Sequence, residues 1–112
     1  VADENGELVH AMRMDGASHT DMRHASRKAY TAAFMARDSR GFRGQLLHDG
    51  PRLADWADPM LTTLTGGVII PNGKGCLGGV GVLRGASTCL PELCRLLRDC
   101  VTSAVGASTL LR

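Results

Sequence analysis

An acid and a glycine, Asp15 and Gly16, follow the basic Arg13 and stand just before a stretch of helical character that opens near His19. Where a strand hands over to a helix, the amides of the first helical turn lack intrahelical partners and the helix dipole favours negative charge, so such a junction can hold an anion. The same two residues also suit a plain turn. Arg13 offers either a two-pronged grip on a carboxylate or an ordinary edge-strand charge. Farther along, His24, Lys28 and Thr31 share one helical face and could bind an acidic group or bring an imidazole to a metal, although solvated helix faces have the same composition. His10 and His19 flank the junction, and His19 and His24 are the candidate metal ligands.

Other chemistries are excluded by pattern. The glycine-rich GKGCLGGVG lacks the GxxxxGK[ST] order of a phosphate cradle, and there is no G-x-S-x-G elbow or H-E-x-x-H helix. Thirteen basic and 11 acidic residues are mixed along 112 positions for a net charge of +2, which gives no stripe for nucleic acid or an anionic membrane. No apolar run approaches the roughly 20 residues of a membrane span, and Val1 does not open a signal peptide, so a cytoplasmic protein is expected. A removed leader would leave the same sequence. The four cysteines, Cys76, Cys89, Cys94 and Cys100, lack zinc-site spacing and are read as reduced thiols.

The elements that must position these residues can be read from the pattern. Asn5-Gly6 is a hairpin signal, with Val1 and Ala2 as the end of one strand and residues 7–13 as the next. A hairpin strand needs about five residues, so the remainder of the first strand is expected outside this chain or from another chain. Ser18 and Asp21 form a capping box for a helix over 19–37. Its stripe of Met22, Ala25, Ala29, Ala32, Ala33 and Ala36 is fit for close approach to a sheet. Arg23, Arg27, Tyr30 and Phe34 form a second face.

Residues 38–66 read as irregular, with DSRGFRG and HDGPR as turns and one short helix near Trp56. Strands over 68–71 and 76–83 meet at Asn72-Gly73. In the second, Gly79 and Gly81 alternate with Val80 and Val82, so one face is bare backbone, the natural seat for the alanine stripe. A helix over 91–105 follows from the spacing of Leu93, Leu96, Leu97, Cys100, Val101 and Ala104. The whole reads as one domain over 1–112, of α/β (α+β) class.

Three segments in order resemble one family. VADENGELVHAMRMDGA (through Asp3, Gly6, Leu8, Arg13, Met14, Asp15, Gly16 and Ala17), ASRKAYTAA (through Ala25, Lys28, Ala29, Tyr30, Thr31 and Ala32) and GGVIIPNGKGCLGGVGVLRGAS (through Gly66, Gly67, Gly73, Gly79, Gly81, Val82, Gly85 and Ala86) resemble the GlcG/HbpS-like haem-binding (haem-degrading) domains. That family includes the C-terminal domain of PduO-type proteins. The resemblance implies a profilin-like antiparallel sheet with helices packed on it, homo-oligomers from dimer to octamer, and haem or iron binding in some members. Members normally begin with a helix and a full first strand that this chain does not carry, and in some that helix supplies a haem-ligating histidine. The final helix here is richer in leucine and cysteine than the family's.

The expected function is therefore binding of haem or a related anionic ligand near the strand-to-helix turn, by Asp15, Gly16, Arg27, Lys28 and Thr31, with Arg13, Arg27 and Lys28 facing the propionates. The alternative is an enzyme on the same fold, with isomerase- or lyase-type chemistry on a small intermediate. Asp15 would be its base, and Arg13 or Lys28 would stabilise developing negative charge. A third reading is an assembly subunit whose glycine and alanine surfaces only pack. Neither nucleic acid nor a membrane is an expected partner.

Overall fold

A computed structural model describes residues 1–48, 50, 52–73 and 75–83. The sequence-predicted helix over 91–105 and the thiols of Cys89, Cys94 and Cys100 lie outside the described residues. Cys76 is half-buried and carries a free thiol.

The first helix, α1 (His19–Met35), begins where its cap requires. Ser18 Oγ accepts from the Asp21 amide at 3.1 Å and Asp21 Oδ2 accepts from the Ser18 amide at 2.7 Å, so both halves of the capping box form. These hydrogen bonds hold the Asp21 carboxyl below its ordinary value. The helix stops two residues before the expected end, because Ala36 turns into the left-handed region at φ 50.

Three strands, β1 (Ala2–Asp3), β2 (Gly67–Asn72) and β3 (Gly75–Gly81), form an antiparallel sheet in the order β1-β3-β2. Asn72-Gly73 makes the expected turn between β2 and β3, with Gly73 at φ +58. Helix α1 lies on β3 through backbone. A Cβ added at Gly79 would run into the Ala29 carbonyl and stand 3.1 Å from Ala32 Cβ. One added at Gly81 would run into the Ala25 carbonyl and stand 2.6 Å from the Ala29 amide. Ala29, Ala32 and Ala33 are buried on this seat. On the sheet, Val68, Ile70 and Val80 form an apolar cluster with Val1, Leu77 and Val82 packed against it.

The α+β expectation holds, and four local expectations change. Residues 7–13 do not form a strand: Ala2 bridges Leu8 alone, the Val9 and His10 amides both reach the Val1 carbonyl, and Leu8, Val9, Met12 and Met14 are exposed. The stretch read as turns from 38 onward is instead a second helix, α2 (Ser39–His48). It is anchored by long-range contacts: Ser39 Oγ accepts from the Gly67 amide at 3.0 Å, Asp38 Oδ1 from the Ile69 amide at 2.9 Å, and Phe42 is fully buried with its ring edge-on to Trp56. The expected short helix at Trp56 is one 3-10 turn, Leu53–Trp56. Finally, the stripe is rotated, so that Lys28 and Thr31 are buried while Met22 and Ala25 are half-exposed and Ala36 is exposed. No helix among the described residues is long and apolar enough to cross a membrane.

Candidate functional site

The side of α1 turned away from β3 meets two other pieces of chain. One is the extended arm after β1, which carries Leu8 and Ala11. The other is the segment 58–62. Between them lies a hollow of about 430 Å³ lined by Leu8, Ala11, Met22, Arg23, Ser26, Arg27, Pro59 and Met60.

The 58–62 wall is fixed by hydrogen bonds from consecutive turns of α1. Tyr30 Oη donates to Asp58 Oδ2 at 2.5 Å, and Asp58 Oδ1 accepts from the Met60 amide at 2.9 Å, which sets Pro59 and Met60 in place. The carboxylate at Oη, with desolvation adding to it, pushes the Tyr30 phenol up to about 12. Arg27 Nη2 donates to the Leu61 carbonyl at 2.8 Å, and Leu61 is buried. Thr31 Oγ1 accepts from the Thr62 amide at 3.0 Å and donates to the Arg27 carbonyl at 2.8 Å. Tyr30 also stacks on Phe34, with ring centroids 5.7 Å apart. Helix and segment thus behave as one wall, held by groups that satisfy one another.

The hollow's chemistry is uneven by design of its lining. Five apolar side chains make its floor and walls, while Arg23, Arg27 and the Ser26 hydroxyl line one edge on α1. Among the described residues no carboxylate lines it. It suits a molecule with an apolar body and an anionic rim. A smaller hollow of about 180 Å³, lined by Thr20, Arg23, His24 and Arg27, shares both arginines. Among the described residues, Arg27 Nε and His24 Nδ1 are buried without a hydrogen-bond partner.

Of the residues singled out in the sequence, Arg27 lines both hollows and His24 lines the smaller one. Lys28 is 2% exposed, and its Nζ donates to the Val82 carbonyl at 3.0 Å. Thr31 is fully buried in the tie to Thr62. Both lie in the packing layer of α1 and line neither hollow. Arg13, Asp15, Gly16 and His19 are exposed and also line neither. Gly16 takes φ +85 in a turn closed by the Ala17 amide on the Met14 carbonyl at 3.0 Å. Arg13, Asp15 and Lys28, the three residues of the acid/base alternative, line neither hollow. No cluster of three His, Cys, Asp or Glu side chains able to hold a metal ion occurs among the described residues.

Sequence reasoning passed over Leu8, Ala11, Met22, Arg23, Ser26, Pro59 and Met60 as site residues. The Arg23/Arg27 spacing of one helical turn was a usable signal. Met22 was assigned to the sheet-facing stripe, and nothing local tells that Pro59 and Met60 come to α1.

A haem fits what this site offers in part. The apolar lining matches a porphyrin face and the arginines match propionates, with Arg27 Nε still unpartnered among the described residues. His24 lines the adjoining hollow together with Arg23 and Arg27.

Comparison with known proteins agrees with this fold and places the chain. The family profile described as "Haem degrading protein HbpS-like" matches residues 1–88. Protein GlcG of Escherichia coli strain K12 is 35% identical over 82 residues, 73% of this chain and 60% of that protein. The chain therefore spans about 60% of the length of the curated relatives it matches. The crystal structure of HbpS superposes with a TM-score of 0.73 and 25% identity, covering 89% of this chain and 69% of that one. The PduOC:haem complex gives 0.71 with 21% identity, covering 84% and 70%. With a profile match across most of its length, the chain belongs to the HbpS-like family.

Proposed function

We propose that the protein binds haem, or a related flat molecule with an anionic rim, in the hollow between α1, the arm at Leu8 and Ala11, and the 58–62 wall. The observation that carries this reading is the pairing of an apolar lining with two guanidinium groups, Arg23 and Arg27, along one edge. Membership of a family described by haem degradation supports it, as does the shared fold with PduOC, whose structure is a haem complex. Bound haem would supply redox-active iron. The chain's own residues do the rest: Met22, Met60 and Leu8 exclude water from the apolar face, and Arg23 and Arg27 orient the molecule by its carboxylates. The iron would be held by His24 or His19, or by a second copy in a homo-oligomer between dimer and octamer, which would also cover the hollow's open side.

Titration of the purified protein with haem tests this. A saturable Soret band is expected, and Arg23→Gln should weaken binding by about tenfold through loss of a charge-assisted contact while the fold persists. Spectra that change without saturation, or an Arg23→Gln variant that binds as tightly as the parent, would refute it.

A further inference from the structure

The smaller hollow differs from the larger one in kind. Its four lining residues, Thr20, Arg23, His24 and Arg27, fall at i, i+3, i+4 and i+7 on α1, one face over two turns, and none is apolar. About 180 Å³ is room for a tetrahedral oxyanion with a few waters, at about 30 Å³ per water, and too little for a large apolar body. Two guanidinium forks and a hydroxyl are the donor set that suits such an anion. Two buried nitrogens on these residues, Arg27 Nε and His24 Nδ1, have no partner among the described residues, and buried polar groups are seldom left so. Arg27 is also held in place, its Nη2 committed to the Leu61 carbonyl. Asp21 is the only acid in α1, against Arg23, Arg27 and Lys28, so these two turns keep a net positive charge.

We propose that this hollow binds a free small oxyanion, with inorganic phosphate as the type, at a site adjoining the one that takes the apolar ligand. Thr20 Oγ1 and the guanidinium groups of Arg23 and Arg27 donate to its oxygens, and a modest side-chain shift brings the His24 ring to it. Because Arg23 and Arg27 line both hollows, an anion here competes with the anionic rim of any molecule in the larger hollow for the same donors.

The test uses the full chain without haem, so that a failed haem titration and a failed anion site remain distinguishable. Sodium phosphate is titrated against sodium chloride at constant ionic strength and followed by backbone and arginine Nε–H NMR signals. Saturable shifts are expected at Thr20, Arg23, His24 and Arg27, while Arg40 and Arg43 on α2 drift without saturating. Arg23→Gln should weaken phosphate binding by about tenfold and Thr20→Val by about threefold, with melting temperatures near the parent's, and Arg40→Gln should leave it unchanged. Shifts that stay linear in phosphate, that appear equally on α2, or that survive Arg23→Gln with the same midpoint would overturn the site.

Discussion

The side of α1 that faces β3 and the side that faces the hollows are built on opposite plans from the same 17 residues. Toward β3, alanine methyls meet glycine backbone, and Ala29, Ala32 and Ala33 are 1%, 0% and 4% exposed. Away from β3, long side chains stand apart around open space, with Met60 at 39% and Leu8 at 57% exposure. The first plan leaves no room for adjustment, because backbone atoms cannot swing aside. The second leaves room for a ligand. A helix seated so closely is a stiff mount, and Arg23 and Arg27 inherit fixed positions from it at no cost in local bulk.

The largest effect should come from disturbing the seat. Gly81→Ala drives a methyl into the Ala25 carbonyl and to 2.6 Å from the Ala29 amide, so α1 must lift from the sheet. A loss of about 3 kcal/mol or more is expected in urea denaturation. Gly44→Ala on α2 is the contrast, since nothing lies within 4 Å of the added methyl there. That variant should gain about 0.5–1 kcal/mol from helix propensity. Equal stabilities for the two variants would mean that α1 and β3 are not in backbone contact.

The tie between the two plans is next. Thr31→Val keeps the shape and removes the hydroxyl that accepts from the Thr62 amide, leaving a buried donor unpaired beneath the 58–62 wall. The expected loss is about 2 kcal/mol, with faster hydrogen exchange at Leu61 and Thr62. Exchange unchanged at those amides would show that the wall stands without α1.

A smaller effect probes the same wall at its other end. The chain has one tyrosine, so the ultraviolet tyrosinate band reads Tyr30 alone. Its midpoint should lie near about 12 rather than 10.0, and Asp58→Asn should bring it back toward 10.0. A phenol whose folded value is raised adds stability that is complete below pH 10.0 and disappears as pH climbs through about 12. Tyr30→Phe should therefore cost about 1 kcal/mol at neutral pH, the group being too exposed for more.

The seat was largely legible in the sequence and the hollow was not, for a physical reason. Ser18 with Asp21, Asn72 with Gly73, and glycines alternating with valines are local statements whose consequences stay local until two such surfaces meet. Helix α2 carries Gly41 and Gly44 and little apolar periodicity, and it forms because Ser39 and Phe42 are held by residues far along the chain. The larger hollow depends on Asp58 reaching Tyr30 and Leu61 reaching Arg27, separations of 28 and 34 residues that no spacing rule encodes. Asp15 drew notice through its strand-to-helix position, yet it stands exposed in the turn before α1 and lines neither hollow.

The smallest effect on stability is the one that separates the two plans most sharply. Met60 lines the larger hollow and is 39% exposed. Its amide, not its side chain, makes the bond to Asp58, so Met60→Ser leaves the wall's hydrogen bonds in place. Stability should change by about 0.5 kcal/mol or less, as for an ordinary surface position. Haem affinity should fall by about tenfold, the worth of one methionine side chain removed from an apolar contact. Paired denaturation and haem titration of this variant read the two faces independently. A fall in stability with unchanged affinity would invert the assignment, making Met60 part of the packing and moving the binding surface elsewhere on the molecule.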